Sequence, residues 1–135
     1  MIPRIALTSG EPAGIGPELC LALAAMQLPC ELVCFGDRAL LEERAHVLRT
    51  APRLCSYEPA VSPVRTAHTA GALSVAHVPL AAASVPGRPD PANARYVLAL
   101  LEERFIAEAH QLAGQLLRCQ RQTQLRPDPR RLPTG

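Results

Sequence analysis

The sequence predicts an α/β protein, with a parallel sheet and helices against its faces. Apolar runs and amphipathic segments alternate in the order strand, helix, strand, helix, strand over residues 4–57. That order is typical of right-handed crossovers in a parallel sheet. Residues 31–36 are almost continuously apolar, as parallel strands covered on both faces usually are. A turn rich in glycine and proline joins the first strand to the first helix.

The turn occupies residues 8–18, with the sequence TSGEPAGIGPE. Pro17 suits the first turn of a helix, where its missing N–H has no intrahelical partner. Glu18 places a carboxylate at the positive end of the helix dipole. We expect a strand at residues 4–9 and a helix over about residues 17–27. The side chains expected to face the sheet recur at helical spacing and are Ile15, Leu19, Leu23 and Met26.

Further elements follow along the chain. Asp37 is expected to cap a second helix over about residues 38–48. Its apolar side would comprise Leu40, Leu41, Ala45 and Leu48. Strands are expected near residues 53–57 and 72–79, and a third helix from about residue 92 into the region of residue 110. The apolar stripe of that helix would comprise Tyr96, Val97, Leu100, Leu101, Phe105 and Leu112.

Charge is divided unevenly along the chain. The net charge is +2, but residues 1–103 carry −2 and residues 104–135 carry +4. The body of the chain therefore lacks the basic surface with aromatic partners that nucleic-acid binding requires. No apolar run reaches the roughly 18 residues that span a bilayer. We expect neither a nucleic-acid nor a membrane partner.

Five cysteines are present without a C-x-x-C pair, namely Cys20, Cys30, Cys34, Cys55 and Cys119. Reduced thiols are the ordinary interpretation of such a set. With no recognisable signal peptide, the sequence favours a cytoplasmic location.

Titratable side chains form no obvious catalytic or metal-binding set. The separations between His46, His68, His77 and His110 match no local ligand motif. The adjacent pairs at residues 42–43 and 102–103 are glutamates, which point in different directions on a helix and are best explained as solvated. We expect no metal ligand and no catalytic residue in this chain.

The turn could nevertheless meet a ligand. Its spacing fits neither a Walker A loop nor G-x-G-x-x-G. It would still present backbone N–H groups at a helix start after a strand, where ligands bind in open α/β sheets. A tight turn whose glycines serve only packing is the alternative that spacing alone leaves open.

The turn closely resembles the amino-terminal signature of the 4-hydroxythreonine-4-phosphate dehydrogenase family of pyridoxal phosphate biosynthesis. A second stretch, NARYV at residues 93–97, is similar to a segment of the same family. The resemblance covers residues 1 to about 103. It implies a fold like that of isocitrate and isopropylmalate dehydrogenases: a three-layer parallel-type sheet with flanking helices, here incomplete.

The resemblance also implies an activity. Members oxidise a phosphorylated hydroxy-amino acid with NAD and then decarboxylate it, assisted by a divalent metal, as homodimers acting on a small-molecule substrate. By resemblance, the cofactor-binding residues of this chain would be Gly10, Glu11, Gly14, Ile15 and Gly16. The regions of the family that bind the metal and the substrate phosphate have no counterpart here.

Residues 104–135 depart from the family pattern. Glutamine, arginine and proline dominate this segment, which suggests a divergent helix end and a frame-shifted or disordered tail. The sequence therefore predicts a truncated dehydrogenase-like chain without turnover of its own. The alternative is a small non-catalytic α/β association module.

Overall fold

A computed structural model describes residues 1–58 and 64–103 of the chain. Its centre is a four-stranded parallel sheet in the order β1-β2-β4-β3. The strands are β1 (Arg4–Thr8), β2 (Glu31–Gly36), β3 (Arg53–Ser56) and β4 (Ala72–His77). The helices are α1 (Gly16–Ala24), α2 (Arg38–Val47) and α3, which is helical over residues 94–103 as far as it is described. The α/β prediction is confirmed.

Side chains of the central strand β2 divide between two cores. Leu32 and Cys34 pack with α1 and α2 on one face of the sheet. Val33 and Phe35 lie in a second cluster with Tyr96 and other side chains of α3. Successive side chains of a strand point to opposite faces. The sheet is therefore the middle of three layers, as predicted.

The predicted sheet-facing side of α1 is wrong at three of its four residues, and only Leu23 packs against the core, as predicted. Ile15, Leu19 and Met26 are 69%, 54% and 50% exposed. The buried side is Pro17, Cys20, Leu21 and Ala24. Both stripes are apolar, so periodicity does not choose between them. The stripe with small residues packs on the sheet because it allows a closer approach of the helix backbone. The helix also ends at Ala24, three residues before the predicted boundary.

Helix α2 follows the prediction more closely. The Asp37 side chain accepts a hydrogen bond from Leu40 N at 2.9 Å, which confirms the predicted cap. Leu40, Leu41 and Ala45 are buried. Leu48 is 45% exposed because the helix has ended at Val47, so its expected burial was wrong.

A single 3₁₀ turn, Pro91–Asn93, precedes α3. Tyr96 and Leu100 are fully buried and Val97 packs beside them, as predicted. Leu101 is exposed, because it lies on the side of α3 away from the sheet. Phe105, Leu112, Cys119 and the proposed tail at residues 104–135 lie outside the described residues.

Candidate functional site

The glycine-rich turn lies at the carboxyl edge of the sheet, between the end of β1 and the start of α1. Ser9 N donates to Phe35 O at 3.0 Å, which ties the turn to the end of β2. Gly87 N donates to Ala13 O at 2.8 Å, so the chain near residue 87 reaches the same turn. Three separate segments therefore meet at this edge, which is where ligands bind in open α/β sheets.

Two glycines are required by the backbone path of the turn. Gly10 has a φ of +66°, a conformation that costs L-residues free energy. At Gly16, a Cβ atom would lie 1.9 Å from Ser9 O, because α1 begins directly against the end of β1. Gly16 therefore has the packing role left open by the sequence, and Gly10 has a conformational one, whether or not a ligand binds.

Glu11 closes the turn on itself. Its carbonyl accepts from Gly14 N at 3.0 Å, and its carboxylate accepts from Ala13 N at 3.2 Å. By contrast, five N–H groups of the turn have no acceptor within the described residues, those of Gly10, Glu11, Ile15, Gly16 and Glu18. Backbone donors of this kind, next to the positive end of a helix, suit an anionic group.

A buried hydroxyl pair fixes the base of the turn. Ser9 Oγ lies 2.8 Å from the hydroxyl oxygen of Tyr96, and both residues are fully buried. The Tyr96 hydroxyl also accepts from Asp37 N at 3.0 Å. Burial raises the pKa of Tyr96, and the hydrogen bonds with Ser9 and Asp37 only partly oppose that effect. Tyr96 is therefore neutral over a wide pH range and joins β1, β2 and α3.

A buried arginine holds the other side of the turn. Arg44 of α2 is 3% exposed and donates from Nη1 to Glu18 Oε1 at 3.0 Å. Its Nη2 donates to Pro12 O at 3.1 Å. Arg44 Nε and Glu18 Oε2 are buried and have no partner in the described part of the chain. The guanidinium therefore links α2, the first turn of α1 and the middle of the loop.

The five predicted site residues are brought together in this one turn, although they differ in surroundings. Ile15 is exposed, Gly10, Glu11 and Gly16 are half-buried, and Gly14 is exposed. Sequence reasoning missed Arg44 and Tyr96 as residues that position the turn. A signal for Arg44 was present, since it lies on the apolar side of α2 between Leu41 and Ala45. Tyr96 was predicted only as part of the apolar stripe and the second similar stretch, because its hydrogen-bond partners are distant in sequence.

Two concave surfaces among the described residues do not include the predicted site residues of the turn. One, of about 290 Å³, covers the amino half of the sheet and is lined by Arg53, Ser74 and residues 66–69 among others. The other, of about 260 Å³, lies near the carboxyl ends of β2 and β4, beside His77 and Glu103. Neither is lined by the predicted site residues, so these two surfaces do not define the candidate site.

The other side chains considered for metal binding or catalysis do not form a cluster within the described residues. His68 is buried, whereas His46 and His77 are exposed, and His110 lies outside the described residues. Within residues 1–58 and 64–103, no three His, Cys, Asp or Glu side chains are grouped so as to hold a metal ion. The described glutamates at 42–43 and 102–103 are exposed. Among the described helices, none has the length and apolarity needed to cross a bilayer.

The described cysteines contribute no disulfide. Cys20, Cys30 and Cys34 are buried free thiols, and Cys55 is a half-buried one. The hydrogen bond with Cys20, together with burial, raises the pKa of the Cys34 thiol. This thiol is therefore a neutral core group rather than a nucleophile.

These features define a parallel α/β protein in which the carboxyl edge of the sheet carries a glycine-rich turn from strand to helix. No protein-family model matches the sequence. The 4-hydroxythreonine-4-phosphate dehydrogenase of Vibrio cholerae is 50% identical over 99 residues, which are 73% of this chain and 29% of that protein. The enzyme of the same name from Pseudomonas aeruginosa is 52% identical over 98 residues, covering 73% of this chain and 30% of that protein.

Solved structures agree on the fold. A 4-hydroxythreonine-4-phosphate dehydrogenase from Klebsiella pneumoniae matches with a TM-score of 0.67 and 24% identity, over 84% of this chain and 34% of that chain. The predicted resemblance is confirmed: the chain is homologous to a part of these dehydrogenases. It spans about 30% of the length of the curated relatives that it matches.

Proposed function

We propose that this chain carries the cofactor side of a dehydrogenase related to 4-hydroxythreonine-4-phosphate dehydrogenase, and that its glycine-rich turn binds the phosphates of NAD. The observation that carries the proposal is the set of N–H groups without an acceptor among the described residues, which includes those of Gly10, Glu11, Ile15 and Gly16. The homology of the matched region to dehydrogenases supports NAD as the ligand.

The described residues fit a phosphate at this place. The free donors lie on a turn that Arg44, Tyr96 and Gly87 hold in shape. A preformed set of donors binds an anion without ordering cost. When bound, NAD supplies the hydride acceptor for oxidation of a hydroxyl group. The contribution of this chain would be to bind and orient the phosphates, through Gly10, Glu11, Ile15 and Gly16, with Gly14 allowing the turn to close.

The proposal does not extend to a metal site in this chain. The described residues do not group three ligands, so they do not fit the divalent ion that the resemblance implies. We assign no step of a reaction to a metal held by these residues. Substrate oxidation and decarboxylation would need residues supplied by other parts of a complete enzyme. We therefore propose that the 135-residue chain alone shows no turnover.

Binding of NADH to the 135-residue chain, followed by calorimetry and thermal unfolding, tests the cofactor site. Ile15→Pro removes one free N–H at a residue whose φ of −84° proline tolerates. A single hydrogen bond to a charged group contributes about 1.5–3 kcal/mol, so we expect affinity to fall about ten-fold or more. Ile15→Ala keeps the N–H and is the matched control. Equal affinity of both variants, or no binding by the wild-type chain, would contradict the proposal.

A second candidate function is association without catalysis. The exposed apolar side of α1, with Ile15, Leu19 and Met26, favours it. Sedimentation of the chain over a range of concentrations discriminates the two functions. Assembly that rises with concentration and does not respond to NADH would favour association.

A family-like homodimer and a cytoplasmic location are also proposed, the latter supported by the free thiols of the described cysteines.

A further inference from the structure

We propose that Arg44 is a positioning residue for the anion-binding turn, which it serves by neutralising Glu18 and by holding the Pro12 carbonyl. The inference rests on the proposed function, because it concerns the same turn. It assigns a role to the buried ion pair of Arg44 and Glu18, which was not used above to identify the fold or the homology.

The position of Glu18 creates an electrostatic problem for an anion site. Glu18 belongs to the first turn of α1, directly after the free N–H groups of Ile15 and Gly16. A carboxylate here is attracted by the helix dipole. For the same reason, it competes with a bound phosphate and repels it. An uncompensated Glu18 would therefore weaken the site that the turn otherwise provides.

Arg44 compensates this charge from the neighbouring helix. Its guanidinium lies 3.0 Å from Glu18 Oε1 and is almost completely buried, so solvent screens the interaction little. The second contact, from Nη2 to Pro12 O at 3.1 Å, fixes the peptide that precedes Ala13. Since the Ala13 carbonyl is held by Gly87 N, two successive carbonyls of the loop have fixed partners. The free N–H groups on either side are thereby held in place.

The pair is also incompletely satisfied. Arg44 Nε and Glu18 Oε2 are both buried without a partner in the described residues. A pair optimised for stability alone would engage both carboxylate oxygens in a bidentate contact. In this arrangement, Nη1 contacts Glu18, Nη2 contacts the loop carbonyl and so shapes the turn, and Nε has no partner among the described residues.

Four variants of the 135-residue chain test the inference, with NADH and inorganic pyrophosphate as separate probes in calorimetry. E18Q keeps an acceptor for Arg44 Nη1 and removes the negative charge. Affinity for both probes should therefore be unchanged or rise by up to about three-fold. R44M leaves Glu18 uncompensated and frees the Pro12 carbonyl, so affinity should fall about ten-fold or more. The double variant E18Q/R44M should recover part of that loss, because the repulsive charge is gone.

R38M is the matched control, since Arg38 is an ion-paired arginine of the same helix whose contacts are with Glu42, Ser56 and Leu54. Its affinity for both probes should equal that of the wild type. Urea unfolding of each variant shows whether it is folded. If R44M does not fold, the comparison of E18Q with the wild type still tests the inference. A purely structural ion pair predicts that E18Q loses affinity, and that result would overturn the inference.

The two probes separate this inference from the proposed function. If pyrophosphate follows the expected order of variants and NADH does not bind, the turn is an anion site positioned by Arg44 but the NAD proposal fails. If NADH binds the wild type and every folded variant equally, the NAD proposal stands and the role of Arg44 is wrong. If neither probe binds the wild-type chain, both are wrong.

Discussion

The Ser9 side-chain oxygen lies 2.8 Å from the hydroxyl oxygen of Tyr96, although 87 residues separate them in the chain. Each of the two residues lies in or beside one of the two stretches that resemble the dehydrogenase family. The contact therefore joins both motifs in one place, at the carboxyl edge of the sheet. Because the Asp37 amide also donates to Tyr96, the hydroxyl connects α3 to the ends of the paired strands β1 and β2.

Replacing Tyr96 with phenylalanine should destabilise the fold. Y96F leaves the Asp37 N–H and the Ser9 hydroxyl without their buried partner, at a cost of about 1–3 kcal/mol. Urea unfolding measures the loss. Y57F is the matched control, because the ring of Tyr57 lies 5.5 Å from the guanidinium carbon of Arg4 and phenylalanine keeps that contact. An equal or larger loss in Y57F would mean that the hydroxyl of Tyr96 does not stabilise the turn.

The contribution of Tyr96 should depend on pH. Burial raises its pKa in the folded state above the ordinary value of about 10. The stability gained from the neutral hydroxyl is therefore fully present below about pH 10 and is lost as the pH rises through the folded pKa. We expect the difference in free energy of unfolding between wild type and Y96F to shrink above about pH 10. Urea titrations of both proteins at pH values from about 8 to 11 measure it, and a constant difference would refute the expectation.

Alanine substitutions at two glycines of the turn should lower the free energy of unfolding by different amounts. In G16A, the new Cβ would lie 1.9 Å from Ser9 O, which forces α1 away from β1. We expect a loss of at least about 2 kcal/mol. In G10A, nothing lies within 4 Å of the new Cβ, and only the positive φ is unfavourable. Its loss should be about 1–2 kcal/mol, and smaller than that of G16A. Thermal and urea unfolding give both values, and the reverse order would contradict the close approach.

The buried side of α1 can be tested with two leucines. L21A removes a side chain that is 3% exposed and should cost about 2–4 kcal/mol. L19A removes one that is 54% exposed and should change stability by less than about 1 kcal/mol. Both residues are in the same helix, so intrinsic helix propensity cancels between the variants. Similar losses at both positions would show that the sequence-based expectation for Leu19 was correct after all.

Much of the fold follows from the sequence by itself. The parallel α/β order, the buried strand β2 and the Asp37 cap depend on residues close together in the chain, where strand pattern and capping chemistry act locally. The unusual turn before Pro17 is also a local property, which is why it carries the resemblance to the dehydrogenases. For the same reason the predicted site residues all fall within one loop.

Tertiary structure decided the remainder. Helix α1 has two apolar stripes, and only packing against the sheet shows that Leu21 is buried while Leu19 is exposed. The contacts of Tyr96 with Ser9 and of Arg44 with Glu18 join residues 87 and 26 positions apart. Local patterns contain no information on such pairings, since the free energy that favours them arises only when the sheet brings the segments together. The sequence therefore determined the chain's ancestry and the location of the turn, and the folded arrangement determined what holds the turn in shape.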